Sequence, residues 1–325
     1  MSMRKDFVIT VGGENLIDSV HTTSMDGTIS RTDNLGGSPF NVAIALARQN
    51  VVSHYLTPIS TDTFGDRLVQ HLHNHGVILA GGRRPEPTTQ AVVTLDTGIP
   101  DYVFNRTDTA ERAVTTASIS ASIPRGTTHL HVGSLAFVGG EDAAAWETVF
   151  HAAAEGGIVT SVDPNVRVSL IEDSVSYRAR LLRLFSSATV IKLSDEDLAW
   201  IFPDQAHDAA LLSLFQSTSA SLVALTKGAD GAECWTPTIH ASVQNPKVET
   251  LVDTIGAGDT FMATLLIGIA KKACLCAATT TDATLPELTH LLNRCVQAAC
   301  LNCAFEGCNP PTTASLDAAL ARGAV

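Results

Sequence analysis

Aromatic residues make up only 5% of the 325-residue chain, against an apolar fraction of 45%. A core built here must therefore be aliphatic, and that apolar fraction excludes a chain that stays disordered. Basic charge is scarce as well: 21 Lys and Arg face 33 Asp and Glu, for a net charge of −12, and no basic run of five or more occurs. That balance excludes nucleic acid and anionic membrane as partners. Long hydrophobic runs are missing. The longest, Phe261 to Ala270, stops at Lys271 and Lys272, short of a membrane span, and Phe7 to Val11 is too short for the apolar region of a signal peptide. A soluble cytoplasmic protein is expected. The seven cysteines are odd in number and crowd toward the end of the chain, which fits free thiols in a reducing compartment. Cys300 and Cys303, with Cys295 and Cys308 nearby, raise zinc as an alternative, but the Ala-rich helical string CVQAACLNCAF uses Cys as a small apolar filler.

No linker-like segment and no repeat at solenoid period divides the chain. It reads as one domain over 1–325, with an appendage. FVITV is a buried first strand ended by Gly12 and Gly13. After a hairpin between about Leu16 and Asn34, with Gly27 in its turn, a glycine turn leads into a helix. There Ser38 is the expected N-cap and Pro39 suits the first turn. A second hairpin, QAVVTLD and YVFNR around TGIPD, breaks the later alternation. The two hairpins, about 14–34 and 88–107, predict a small sheet standing off the main body. From Thr128 strands and helices alternate: THLHVGSLAF, GGIVTSVDPNVR, SATVIKLS and ASLVALTKG are strands separated by helical patterns. Such βα repeats predict an α/β, Rossmann-like, mostly parallel sheet flanked by helices, with its site beyond the strands' carboxyl ends.

Those ends collect Asp18, Asp163 to Arg167, Lys192 to Asp197, Thr226 to Gly231 and Asp253 to Asp259. The last stretch, LVDTIGAGDTF, joins three small residues and an aspartate to a long apolar helix. Gly256, Ala257 and Gly258 let backbone N–H groups approach an anion at a helix N-terminus, where the dipole also favours it. Taken alone, the glycines are equally a tight turn and Asp259 an N-cap. A carboxylate beside bound phosphate has a purpose as general base for an attacking hydroxyl. No GxxxxGK[ST] loop is present, so any phosphate grip must come from this turn.

The longer strings are more specific. DTIGAGDTF resembles the DTxGAGDxF signature of the ribokinase-like (PfkB) carbohydrate kinases at every fixed position, and GGSPFNVAIALARQN resembles that family's first signature, GGxxxNVAxxLARxN. The resemblance implies an ATP-dependent, magnesium-requiring sugar kinase. Asp259 would be its base, and the amides of Gly256, Ala257 and Gly258 its anion hole. Gly36, Gly37, Asn41 and Asp18 would meet sugar hydroxyls, while Arg106 and Arg167 would lie on the substrate side; Arg106 could otherwise be an edge-strand cation. DPNVR (with Asn165), KLSDED (Lys192, Ser194) and TKGADG (Thr226, Gly228, Gly231) would serve the nucleotide side, with Asn302 bordering adenine. Ser194 and Asp197 occupy the Asn and Glu places of the family's NxxE metal motif. Asp197 would thus support magnesium through water, and Asp253 is the candidate for a monovalent cation, K+. The hairpins would form the family's lid, which often pairs with that of a second subunit. GSLAF, DPNVR and KLSDED look most like the fructokinase branch. 2-Keto-3-deoxygluconate kinase and ribokinase stay open, as does a non-catalytic regulator that binds sugar or nucleotide.

Overall fold

A computed structural model of the protein describes residues 7–23, 29–96, 99–246, 251–271 and 283–323. The expected turn at Gly27, part of the TGIPD turn, Cys274 and Cys276 lie outside the described residues. In chain order the strands are β1 Ile9–Gly12, β2 Leu16–Thr23, β3 Ile29–Gly36, β4 Ser53–Tyr55, β5 Ile59–Ser60, β6 Ile78–Leu79, β7 Arg83–Arg84, β8 Thr89–Asp96, β9 Ile99–Asn105, β10 His129–Gly133, β11 Val159–Asp163, β12 Val190–Ser194, β13 Leu222–Thr226, β14 Ala232–Trp235 and β15 His240–Val243. The helices are α1 Ser38–Arg48, α2 Thr63–Asn74, α3 Thr116–Ser122, α4 Gly140–Glu155, α5 Ser174–Ser187, α6 Asp195–Ile201, α7 His207–Gln216, α8 Ala257–Lys271, α9 Leu285–Asn302 and α10 Thr313–Gly323.

The main sheet has nine strands in the order β15-β14-β13-β12-β11-β10-β1-β4-β6. Every pairing from β13 to β6 is parallel, and only β14 and β15 run antiparallel at one edge. Period-2 alternation sorts each strand between two cores. Val190, Leu222 and Ala224 join one core with α1, α8 and α9. Their neighbours Ile191, Leu193, Val223 and Leu225 join the other, with α4 and α5. Lys192 shares the parity of Val190, so its side chain leaves the sheet on the α8 side. The sheet is mostly aliphatic, as the low aromatic content requires, with Tyr55 of β4 a large exception, and aromatics such as Trp146, Phe150 and Phe40 pack on it from the helices.

Chain connections run from β1 toward β4 on one side and toward β10 on the other, so strand order reverses at the carboxyl end of β1. In open α/β sheets that reversal opens a crevice for ligand. Over it stands a four-stranded sheet, β3-β2-β8-β9, built from the two expected hairpins with β2 and β8 pairing parallel at its centre. One boundary differs from the sequence reading. The strand over THLHV stops at Gly133, and Ser134–Phe137 forms a 3-10 turn instead, beginning with Ser134 in the left-handed region at φ 53°. Among the described residues no helix is long and apolar enough to cross a membrane.

Candidate active site

Asp259 lies in the first turn of α8 and is buried. Its two oxygens are held apart by two donors from α1: the Ser38 hydroxyl reaches Oδ1 at 2.6 Å and the Asn41 amide nitrogen reaches Oδ2 at 2.8 Å. Burial raises the Asp259 carboxyl above the usual carboxylate range, opposed by those two bonds and by the charges of Lys192 and Arg167. The result is a fixed, poorly solvated carboxylate, the form in which a base is most effective. Ser38 is therefore not the N-cap of α1. Gly37 occupies that place without a side-chain bond, Pro39 follows early, and the serine hydroxyl is turned to Asp259. Nothing in the sequence signalled this, because Ser before Pro at a helix start satisfies the capping rule equally well.

The turn into α8 carries the three small residues expected to form an anion hole. Gly256 has φ 76°, and a Cβ there would sit 2.4 Å from Cys308 Sγ, so no other residue fits. Of the three expected amides, that of Ala257 donates to the Thr254 carbonyl at 3.2 Å. Gly256 and Gly258 have no recorded protein acceptor among the described residues and remain the donors. A Cβ on Gly258 would lie 3.1 Å from Lys192 Nζ, which places an ammonium beside these N–H groups. Lys192 is itself buried and paired with Asp163 at 2.8 Å. Burial lowers its pKa, but the carboxylates of Asp163, Asp197 and Asp259 outweigh that and hold it above the usual range. The second Asp163 oxygen, Oδ1, is buried without a partner.

On the acceptor side, Asp18 in β2 packs over Gly36, where a Cβ would come 2.5 Å from Asp18 Oδ2. Burial pushes the Asp18 carboxyl up to about 6, against the charge of Arg167. Arg167 acts on both Asp18 and Asp259, and its guanidinium is steered by Asn165 Oδ1 at 2.8 Å, with Asn165 in the left-handed region at φ 38°. Gly37, at φ 112°, could not accept a Cβ, which would be 2.5 Å from the Glu14 carbonyl oxygen. Thus Asp18, Gly36, Gly37, Asn41, Arg167 and Asp259 converge.

Arg106 does not join them. It is 7% exposed, donates to both oxygens of Glu111 at 2.7 and 3.2 Å, and donates to the carbonyls of Leu135 and Val138. It is not an exposed edge-strand cation but a buried tie between the lid's exit and the body. Removing one partner of such a pair leaves an uncompensated charge. Arg106→Met is therefore expected to cost about 3–5 kcal/mol in a denaturant titration. A raised acceptor KM at unchanged stability would instead return Arg106 to the substrate.

The remaining elements divide between ligand and scaffold. Ser194 caps α6 in a reciprocal box with Asp197. Asp197 accepts N–H bonds on both oxygens, from Val166 at 2.8 Å and Ser194 at 2.9 Å, so it ties the DPNVR loop to the end of β12. Asp253 likewise accepts from Ile255 at 3.0 Å and Gly307 at 2.9 Å, bracing the turn from behind. Asn302 is fully buried. Its amide donates to the Ile255 carbonyl and accepts from the Asn309 N–H, so it supports the turn. Thr226 ends β13, and the loop after it turns on Gly228 (φ 51°) and Gly231 (φ 91°), where a Cβ would strike the Val243 carbonyl at 2.1 Å. Beside the turn, Leu251, Val252, Ile255 and Phe305 are all more than half exposed. The Val252 N–H donates to the Cys303 carbonyl, which joins that segment to the end of α9. The cysteines of α9, Cys295 and Cys300, are buried in its packing face.

Known proteins are similar to this chain in sequence and fold. The family model for pfkB family carbohydrate kinases matches residues 16–310. A fructokinase of Rhizobium leguminosarum bv. trifolii is 34% identical over 258 residues, covering 79% of this chain and 78% of that protein. Fructokinase-2 of Oryza sativa subsp. japonica is 32% identical over 269 residues, covering 82% and 77%. Among solved structures, the Xylella fastidiosa fructokinase with bound ATP superposes with a TM-score of 0.89 at 24% identity, over 99% of this chain and 100% of that one. With the site's geometry and a family match over most of its length, the chain belongs to the pfkB family of carbohydrate kinases.

Proposed function

We propose that this protein transfers the γ-phosphoryl group of ATP to a primary hydroxyl of fructose. The observation that carries the reading is the junction at the start of α8, where a buried carboxylate held by Ser38 and Asn41 adjoins two N–H donors and a buried ammonium. Asp259 takes the acceptor's proton as the oxygen attacks phosphorus, and the Gly256 and Gly258 amides with Lys192 meet the charge on the transferred group. Positioning and electrostatics of this kind are what phosphoryl transfer needs. Asp18 and Asn41 orient the sugar, with the β2-β3-β8-β9 sheet as its lid. The exposed apolar group of Leu251, Val252, Ile255 and Phe305 gives the purine a surface to pack on, and the Thr226 to Gly231 loop faces the phosphates.

Magnesium bound with ATP would neutralise charge on its phosphates. The residue that fits it is Asp163, whose buried Oδ1 has no partner and offers an acceptor to a metal-bound water. Asp197, which already accepts an N–H on each oxygen, acts one step behind it by holding the loop that carries Arg167. Fructose is favoured over 2-keto-3-deoxygluconate because a keto-acid needs a cationic clamp. Of the two arginines that left this open, Arg106 is committed to Glu111, leaving Arg167 alone.

A screen of ADP release with ATP, magnesium and fructose, ribose, 2-keto-3-deoxygluconate, tagatose or adenosine tests the reading. Fructose should give the highest kcat/KM. A preference for another acceptor would overturn the substrate, and nucleotide binding without turnover on any acceptor would overturn the kinase in favour of a sugar- or nucleotide-binding regulator.

A further inference from the structure

Glu14 follows β1 at the point where strand order reverses, and it is 2% exposed. No lysine or arginine is recorded in an ion pair with it among the described residues. Its carboxylate instead bridges two loops: Oε1 accepts the Ser38 N–H at 2.9 Å and Oε2 accepts the Leu135 N–H at 3.0 Å, with a further bond from the Ser134 side chain. One of these loops opens α1. The other is the turn after β10, where Ser134 holds a left-handed backbone at φ 53°, a conformation that costs about 1–3 kcal/mol unless its surroundings enforce it. Ser38 is also the residue whose hydroxyl donates to Asp259 Oδ1 at 2.6 Å.

We propose that Glu14 is a positioning residue for the transfer: from the loop after β1 it ties the start of α1 to the turn after β10, fixes Ser38 from behind, and through Ser38 sets where Asp259 meets the acceptor hydroxyl. A buried carboxylate without a cation is costly, and only an ionised one offers an acceptor to both amides at once; glutamine offers a single oxygen. Burial pushes the Glu14 carboxyl up to about 7, against the Ser38 N–H and with the nearby Glu111 carboxylate pushing the same way. Tyr55 and Tyr177 lie within its field as well, and none of these groups supplies a positive charge.

The inference rests on Asp259 being the base, so its test carries one arm that needs no turnover. In Glu14→Gln, amide hydrogen exchange at Ser38 and Leu135 is expected to speed at least tenfold relative to wild type, while β12 and β13 are unchanged. Turnover is expected to fall about 10- to 100-fold with the KM for ATP within twofold, since a displacement near 1 Å at a reacting group has effects of that order. Ser38→Ala should lower turnover comparably, and the double variant should be no slower than the worse single one, because both act on the same contact. Glu14→Asp keeps the charge but is one methylene too short to span both amides, so it should behave like Glu14→Gln and provides the test if the glutamine variant does not fold. Multiplying losses in the double variant, full activity in Glu14→Asp, or unchanged exchange at both amides would each overturn the proposal. Wild type inactive on every acceptor would refute the kinase reading, leaving the exchange arm to judge the bridge.

Discussion

Asp259→Asn is expected to lower turnover at least ~100-fold while leaving the melting temperature and ATP affinity close to wild type. The exchange is nearly isosteric. Ser38 can still donate to the remaining oxygen, and Asn41, which meets Oδ2 at 2.8 Å, faces an amide nitrogen in its place or a flipped side chain. What disappears is the carboxylate that would accept the proton. The pH dependence gives a second readout. Burial raises the folded-state pKa of Asp259, so in wild type the ionised base is lost as pH falls through that raised value and turnover falls with it. The variant has no such carboxyl and should lose this component of its acid limb. Steady-state kinetics across pH 5 to 9 with saturating ATP decides the matter. Wild-type turnover in Asp259→Asn would remove the residue from the chemistry, and an unchanged acid limb would assign that limb to another group such as Asp18, whose carboxyl titrates near 6.

The sequence made the fold legible because its signals were local and redundant. Parallel strands β1, β11 and β12 announced themselves as short apolar, β-branched runs ended by Gly, Asp or Ser, and the two lid hairpins stood apart from the alternation where they are found. The need for Gly36 and Gly37 was legible too, since glycines that admit Asp18 Oδ2 or the Glu14 carbonyl oxygen are required by contacts of their own backbone. What could not be read was the direction of polar side chains. Arg106 lay at the end of a lid strand and could have turned to either side; the salt bridge to Glu111, five residues on, decided it. Asn302 was placed beside adenine by resemblance alone, and its side chain bonds to backbone groups at the turn it supports. Ser38 was read as a cap, and Glu14 was not singled out, because the contacts that define them span 221 and 121 residues, beyond any local pattern.

Lys192→Met carries the largest combined effect, because one ammonium serves both stability and transfer. Its Nζ is 2.8 Å from Asp163, and both side chains are buried, at 5% and 1% exposure. Methionine fills much the same space but leaves Asp163 with neither oxygen paired, since Oδ1 already lacks a partner, a loss of about 3–5 kcal/mol by comparison with other broken buried pairs. The sign of its pH dependence follows from the carboxyl. In wild type, burial pushes Asp163 up to about 6 while Lys192 holds it down; without Lys192 the folded-state value rises further. A folded pKa raised above the unfolded one means that stability present at low pH is lost as pH rises through the folded value. The variant should therefore approach wild-type stability near pH 5 and fall behind by pH 8 in chemical denaturation, with Asp163→Asn in the same background relieving the alkaline deficit. An equal deficit at both pH values would show that packing, and not the stranded carboxyl, is responsible. At a pH where the variant stays folded, turnover should still drop roughly 10²–10³-fold, the effect of removing one donor from an anion hole. The ammonium sits 3.1 Å from where a Gly258 Cβ would be, close enough to share charge with the N–H groups of the turn. A variant that is folded and fully active would leave Lys192 a structural partner of Asp163 and place the whole burden of the transferred charge on the Gly256 and Gly258 amides and magnesium.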